Sequence, residues 1–225
     1  MKTIAIIPAK SGPGKKNKNI DDFIGRPIIS YSIEEAKKSK LFDMIHVSSD
    51  SAEIVSVAES LGADVSFMRP KCLSKNKTSL FSVVEWTLEK FKKRGEEFDN
   101  VFIIFPRSPL LCAIDFCKAY ELYNKNSREC NIRVVSEAQS RIEKYFRCYD
   151  NILVPVDKKN KHINTENLNP AYYEVRAFSI SPSDVFLKNK MHKDIAYKIP
   201  LIKAINVEID ENIILAEVLY KIMHG

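Results

Sequence analysis

Short, mostly apolar runs recur along this chain, and each is followed by a stretch of helical period. The run Ile4 to Ile7, then Met44 to Ser48, then Asn100 to Phe105 are too short for helices and rich in β-branched residues. They read as strands buried on both faces. Between them, Ile28 to Ser39 carries Ile29, Ile33 and Ala36 on one face, and Ser51 to Leu61 carries Ile54, Val57, Ala58 and Leu61 with Gly62 as a stop. Thr78 to Arg94 is the longest amphipathic stretch. Further on, the pattern predicts strands over Ala63–Phe67, Asn131–Ser136 and Ala204–Ile209, and helices over Asp115–Tyr123 and Glu211–Met223. Continuous apolar strands alternating with helices predict an α/β fold, with a mostly parallel sheet covered on both faces. At 225 residues, a single domain over 1–225 is expected.

Composition narrows the function classes. No stretch approaches the roughly 20 apolar residues of a membrane span, and the N-terminus opens on a strand pattern without a signal-peptide layout. A cytoplasmic protein is expected. The five cysteines, Cys72, Cys112, Cys117, Cys130 and Cys148, form no C-x-x-C pair, so buried, reduced thiols are expected rather than zinc or disulfides. The net charge of +6 is compatible with nucleic acid, but no recognition helix or RNA-binding motif accompanies it. A basic surface equally suits small anionic substrates.

The opening residues carry the strongest chemical signal. The first strand ends at Pro8 and runs into the small-residue loop Ala9 to Gly14, followed by Lys15, Lys16 and Lys18 with Asn17 and Asn19 between them. Glycine lets a backbone approach a ligand closely, and clustered ammonium groups and backbone N–H groups both stabilise phosphate. A plain turn with solvated lysines is the competing reading. Only six glycines occur in the whole chain, and two of them stand within three residues here. Neither the Walker A pattern nor G-x-G-x-x-G is present. In a parallel sheet ligands sit at the carboxyl ends of strands. The first loop, Asp50 and Pro106 to Pro109 are therefore expected around one cleft.

A second candidate is Glu208 and Asp210, flanking Ile209. If that segment is a strand, both carboxylates face one side and suit Mg²⁺, which takes one or two carboxylates plus substrate phosphates. Alternatively, Glu208 is a surface residue and Asp210 caps the helix that follows. The four histidines lack ligand spacing and G-x-S-x-G is absent, so nothing points to nucleophilic catalysis. Ser140 to Lys198 has polar turns and many aromatics, and reads as an inserted β-ribbon that serves a dimer contact and a lid, or else plain core packing.

Taken together, several stretches resemble one family. I-I-P-A-K-S-G-P-G-K-K-N-K-N-I, G-R-P-I-I-S-Y-S-I-E-E-A, L-F-D-M-I-H-V-S-S-D-S-A-E-I, L-G-A-D-V-S-F-M-R-P, F-P-R-S-P-L-L and V-E-I-D-E-N-I-I-L-A-E are similar to the acylneuraminate cytidylyltransferases. N-L-N-P-A-Y-Y-E-V-R-A-F resembles their sugar-site segment, nearest the pseudaminic acid branch. The resemblance implies a Rossmann-like three-layer nucleotidyltransferase with a small β-rich dimerisation insertion over 140–198. It implies a homodimeric enzyme that joins CTP to an acidic nine-carbon sugar and releases pyrophosphate, with Mg²⁺ as cofactor and neither nucleic acid nor membrane as partner.

The implied residue roles follow by position. Ala9, Lys10, Ser11, Gly12, Lys18 and Asn19 would lie along the nucleotide, with Lys15 as the catalytic phosphate lysine, or Lys16 in its place. Arg69, Thr78 and Ser79 would lie near base and ribose. Arg107, Tyr172, Tyr173 and Phe178 would meet the sugar, and Glu208 and Asp210 would bind the metal, Asp210 also counting as catalytic. The chain departs from the family pattern at several of these places. Lys10 stands for a usual arginine, Pro13 for a usual serine, Glu208 for an aspartate and Arg107 for a small hydroxyl residue. Asn164 and Arg176 stand about where an arginine and a glycine are common. These changes predict either a different acid sugar or weakened turnover, and two other readings stay open. One is a nucleotidyltransferase with another sugar acceptor; the other is a diverged homologue that binds without turnover.

Overall fold

A computed structural model describes residues 1–12, 17–75, 77–157, 159, 162–205, 207 and 210–224. The main sheet is built from strands β1 (Thr3–Pro8), β4 (Met44–Ser48), β5 (Asn100–Ile104), β6 (Cys130–Glu137), β9 (Tyr172–Pro182) and β10 (Lys193–Lys198). Two short antiparallel pairs lie outside it: β2 (Asp22–Phe23) with β3 (Arg26–Pro27), and β7 (Phe146–Tyr149) with β8 (Ile152–Pro155). The helices are α1 (Ile29–Ser39), α2 (Ala52–Ser60), α3 (Leu80–Lys92), α4 (Ala113–Lys125), α5 (Asp184–Leu187) and α6 (Asp210–His224).

The sheet order is β10-β6-β9-β5-β1-β4. β1 pairs in parallel with β4 and β5, and β10 with β6, while β9 runs antiparallel to both of its neighbours. The predicted mostly parallel α/β sheet is what forms. Strand alternation divides the core in two. Ala5 and Ile7 of β1 face α1, α2 and α4, meeting Ile33, Ile54 and Phe116; Ile4 and Ile6 face α3 and α5, meeting Val84, Leu88, Phe91 and Phe186. Each large apolar side chain buried in this way contributes about 1.5–3 kcal/mol. A third cluster packs α6 through Ala216 onto Phe23, Ile28, Tyr31 and Leu110.

Helix starts follow their capping chemistry. Ser79 is the N-cap of α3 and its hydroxyl accepts the Ser82 N–H at 3.1 Å, while Ser51 caps α2. Asp115 closes a box on Cys112 at the start of α4.

Three expectations need correction. Ala63–Phe67 is not a strand; only Asp64 bridges to His46. Ala204–Ile209 is not a strand in its described part: Leu201–Lys203 is a 3-10 turn, and Ala204, Ile205 and Val207 lie outside any strand. The alternation argument for the acidic pair therefore finds no strand to rest on among the described residues. Asp210 is the first residue of α6, and Glu208 and Ile209 lie outside the described residues. Finally, only the β7–β8 part of 140–198 is an excursion. β9 and β10 belong to the main sheet, because their apolar residues Val175, Ala177, Ile180 and Ile195 complete the larger core cluster.

Candidate functional site

β1, β4 and β5 end on the same side of the sheet, and a cleft of about 520 Å³ opens there. It is lined by Pro8, Lys10, Ser11, Gly12, Lys18 and Asn19 from the first loop, and by Arg69, Leu73, Lys75 and Thr78 from the approach to α3. Leu80 and Val83 of α3, Phe105, Pro106 and Arg107 after β5, and Val175, Arg176, Ile205 and Val207 complete the lining. Six of these side chains are cationic, and no aspartate or glutamate is among the described lining residues. Positive charge concentrated in a cleft with apolar walls raises the local concentration of anions.

The first loop is held from behind. The carboxylate of Asp50, just past β4, accepts the backbone N–H and the hydroxyl of Ser11, each at 2.8 Å. Burial pushes this carboxyl up, but hydrogen bonds from Ser11 and from its own backbone N–H, with the nearby Ser74 hydroxyl, together outweigh it and hold it below the usual carboxylate range. Arg69 is 5% exposed, with Nη2 lying 3.7 Å from Asp50 Oδ1. Its Nε and Nη2 have no hydrogen-bond partner among the described residues. Burial lowers its pKa and the Asp50 charge raises it, with burial the larger effect. A guanidinium with buried, unsatisfied donors on a cleft wall is suited to a ligand that carries acceptors.

The opposite wall is shaped by an irregularity in β9. Between the pairs Arg133↔Ser179 and Val135↔Glu174, two steps along β6 are matched by five along β9. The extra residues bow out at Val175 and Arg176, both of which line the cleft. The Arg176 guanidinium sits 4.9 Å from the centre of the Phe105 ring, within cation–π range.

Of the residues singled out from sequence, Lys10, Ser11, Gly12, Lys18, Asn19, Arg69, Thr78 and Arg107 are brought together around this cleft. Ala9 is not on its surface; it is fully buried and its N–H donates to the Ser48 carbonyl at 3.0 Å. Ser79 is spent on capping α3. Tyr172 and Tyr173 lie beyond the cleft lining, both 39% exposed, and the Tyr172 hydroxyl accepts from Lys198 Nζ at 2.8 Å. Phe178 is a correction. It is 1% exposed and packs on Phe102, Phe116 and Tyr197 in the core. The extra β9 residues number three, an odd count, so inward and outward positions exchange across the irregularity.

Lys15 and Glu208 lie outside the described residues, and so does the alternative lysine, Lys16; the side chain of Asp210 does as well. Their chain neighbours Gly12, Lys18 and Val207 all line the one cleft. Among the described residues no group of three or more acidic, histidine or cysteine side chains is placed to hold a metal. Lys75, Val175, Ile205 and Val207 were not singled out from sequence. Lys75 had a signal, the basic run K-C-L-S-K-N-K just before Thr78.

Comparison with known proteins agrees with this geometry. The Cytidylyltransferase family profile matches residues 4–181. A pseudaminic acid cytidylyltransferase of Campylobacter jejuni subsp. jejuni serotype O:2 is 32% identical over 230 residues, covering 100% of this chain and 98% of that one. An N-acylneuraminate cytidylyltransferase of Escherichia coli O18:K1:H7 is 35% identical over 123 residues, 54% of this chain and 28% of that one. Among solved structures, a CMP:2-keto-3-deoxy-manno-octonic acid synthetase in complex with CTP superposes with a TM-score of 0.67 at 12% identity, over 89% of this chain and 90% of that one. A 4-diphosphocytidyl-2C-methyl-D-erythritol synthase of Anaerococcus prevotii gives 0.65 at 13%, over 98% of each. At such identities the structures speak for the fold alone, which is the α/β, Rossmann-like one expected. The family match over most of the length, with the relative that spans all of it, shows that the chain belongs to the cytidylyltransferase family.

Proposed function

We propose that the protein transfers CMP from CTP to a nonulosonic acid sugar, with pseudaminic acid as the leading candidate, and releases pyrophosphate. The observation that carries this is the cleft itself: six cations and no acidic group in its described lining, at the strand ends of a cytidylyltransferase fold. The anomeric hydroxyl of the sugar attacks the α-phosphorus of CTP. A new P–O bond forms as the bond to the β-phosphate oxygen breaks, and the hydroxyl proton leaves to a base or water. Lys10, Lys18 and Lys75, with Lys15 from the segment between Gly12 and Asn17, supply charge for the phosphates. Arg69 and Thr78 serve the nucleoside, and Arg107 and Arg176 the sugar carboxylate, for which a planar guanidinium fork is well matched.

The metal belongs to the same proposal. Glu208 and Asp210 would hold Mg²⁺, since two carboxylate oxygens completed by substrate phosphates are a suitable donor set. Their fit is supported by Val207, which lines the cleft one residue before Glu208. When bound, the ion would neutralise charge building on the departing pyrophosphate. A homodimer is also proposed, through the β7–β8 ribbon. Phe146, Tyr149, Ile152 and Leu153 on this ribbon are all more than half exposed, which is an unusual apolar display for a free surface.

The test is pyrophosphate release and product mass with CTP, Mg²⁺ and pseudaminic acid, beside N-acetylneuraminic, legionaminic and Kdo-type sugars. Pseudaminic acid is expected to give CMP-sugar at the highest kcat/KM. Folded protein that yields no pyrophosphate with any of them would overturn the proposal.

A further inference from the structure

The turn after β4 holds both ends of the cationic loop. The Asp50 side chain is 7% exposed, with Oδ1 accepting the Ser11 N–H and Oδ2 the Ser11 hydroxyl. Oδ1 also faces Arg69 Nη2 at 3.7 Å. Next along the turn, Ser51 Oγ accepts from Asn17 Nδ2 at 3.3 Å, and the Glu53 carboxylate accepts from the same amide. Asn19 Nδ2 in turn donates to the Lys10 carbonyl at 2.9 Å, tying the start of the loop to its end. The N–H and hydroxyl of Ser11 are thus both taken by Asp50.

We propose that Asp50 is a positioning residue: without touching substrate, it fixes the phosphate loop and Arg69 relative to one another, so that one CTP meets both. The inference rests on the CTP reading above. A neutral side chain of the same shape cannot take its place. An amide could keep the Ser11 N–H bond and reverse the hydroxyl bond, but both would be neutral, and Arg69 would be left with no opposing charge. The loop and Arg69 come from segments more than fifty residues apart, and Asp50 is the group bonded to the first and facing the second.

Asp50→Asn tests this, with Ser11→Ala as a gentler variant that keeps the carboxylate. Both contacts lose their charge assistance in the first and Arg69 loses its opposing charge, so KM for CTP is expected to rise about 10- to 100-fold, with KM for the sugar unchanged. Ser11→Ala should fall between wild type and Asp50→Asn, and Asp50→Glu should recover part of the loss. Amide hydrogen exchange without nucleotide is the independent readout. Peptides from 9–12 and 17–19 should exchange faster in Asp50→Asn, while those from β1 and β5 keep their protection. Exchange that accelerates everywhere, or an unchanged loop with unchanged KM for CTP, would overturn the proposal. Wild-type protein that fails to bind CTP, while Asp50→Asn still loosens the loop, would refute the function and uphold the tether.

Discussion

Replacing Phe178 by alanine separates two accounts of this residue. As a sugar contact it would leave stability alone and raise KM for the sugar. The structure instead buries it to 1% exposure, stacked on Phe102 at 6.2 Å between ring centres and edge-on to Phe116 at 5.0 Å. Full burial of a phenylalanine side chain is worth about 1.5–3 kcal/mol, most of which truncation to alanine forfeits. The aromatic pairs contribute about 0.5–1.5 kcal/mol each beyond that, and the remaining void adds to the cost. Phe178→Ala should therefore destabilise by about 3–5 kcal/mol, the usual range for this change in a core. For a chain of this size that lowers Tm by roughly 10 °C. Urea titration followed by circular dichroism measures it, with the m-value as a check on two-state behaviour. Phe178→Leu should cost much less and leave both KM values unchanged. A loss below about 1 kcal/mol together with a selective rise in KM for the sugar would show that the burial argument is wrong.

Three other outcomes are expected. Arg69→Met removes the guanidinium whose Nε and Nη2 are buried without hydrogen-bond partners among the described residues, and should abolish CTP binding in calorimetry; because it leaves the buried Asp50 carboxylate without its opposing charge, it should also lower the melting temperature. Lys203→Met breaks a partly buried pair in which Lys203 Nζ lies 2.7 Å from Asp115 Oδ2, and should cost about 2 kcal/mol in chemical denaturation. Asp64 is hydrogen-bonded by His46 Nδ1 at 2.8 Å and by Ser66; burial raises its carboxyl, but these contacts hold it below its ordinary 3.8. Its stabilisation is complete above that value and is lost as pH falls through the lower folded-state value, so acid unfolding should be flatter in Asp64→Asn than in wild type.

Periodicity carried the sheet because β1 and β5 are buried almost throughout, which writes a near-continuous apolar run into the sequence, while β4 still carries Met44, Ile45 and Val47. It missed β9, whose Tyr172, Tyr173 and Glu174 are exposed and whose Val175 to Ile180 are mostly not. A strand that is half outside and half inside has no single period, and its three extra residues shift the alternation midway. The part of the first loop that lines the cleft, Lys10, Ser11, Gly12, Lys18 and Asn19, was legible because small residues and clustered cations follow directly on the first strand. Arg69 was placed near the nucleoside only by family resemblance, since nothing local says that an arginine before a proline will be buried. Lys75, Ile205 and Val207 reach the cleft only through tertiary packing, from segments without regular strand or α-helical structure, where sequence pattern has least to say.

The reversed strand β9 also dictates when the molecule can become one body. The layer β4-β1-β5 comes from the first 104 residues, and β6 follows at Cys130, yet these two portions share no ladder; each is bonded to β9 instead. A nascent chain must therefore hold an open seam beside β5, two apolar edges facing each other, until residues 172–182 leave the ribosome and slide in antiparallel. Cooperative unfolding should begin at the same seam, and ribosome-stalled chains ending before Tyr172 should be open to proteolysis along it, whereas chains extending beyond Pro182 should resist.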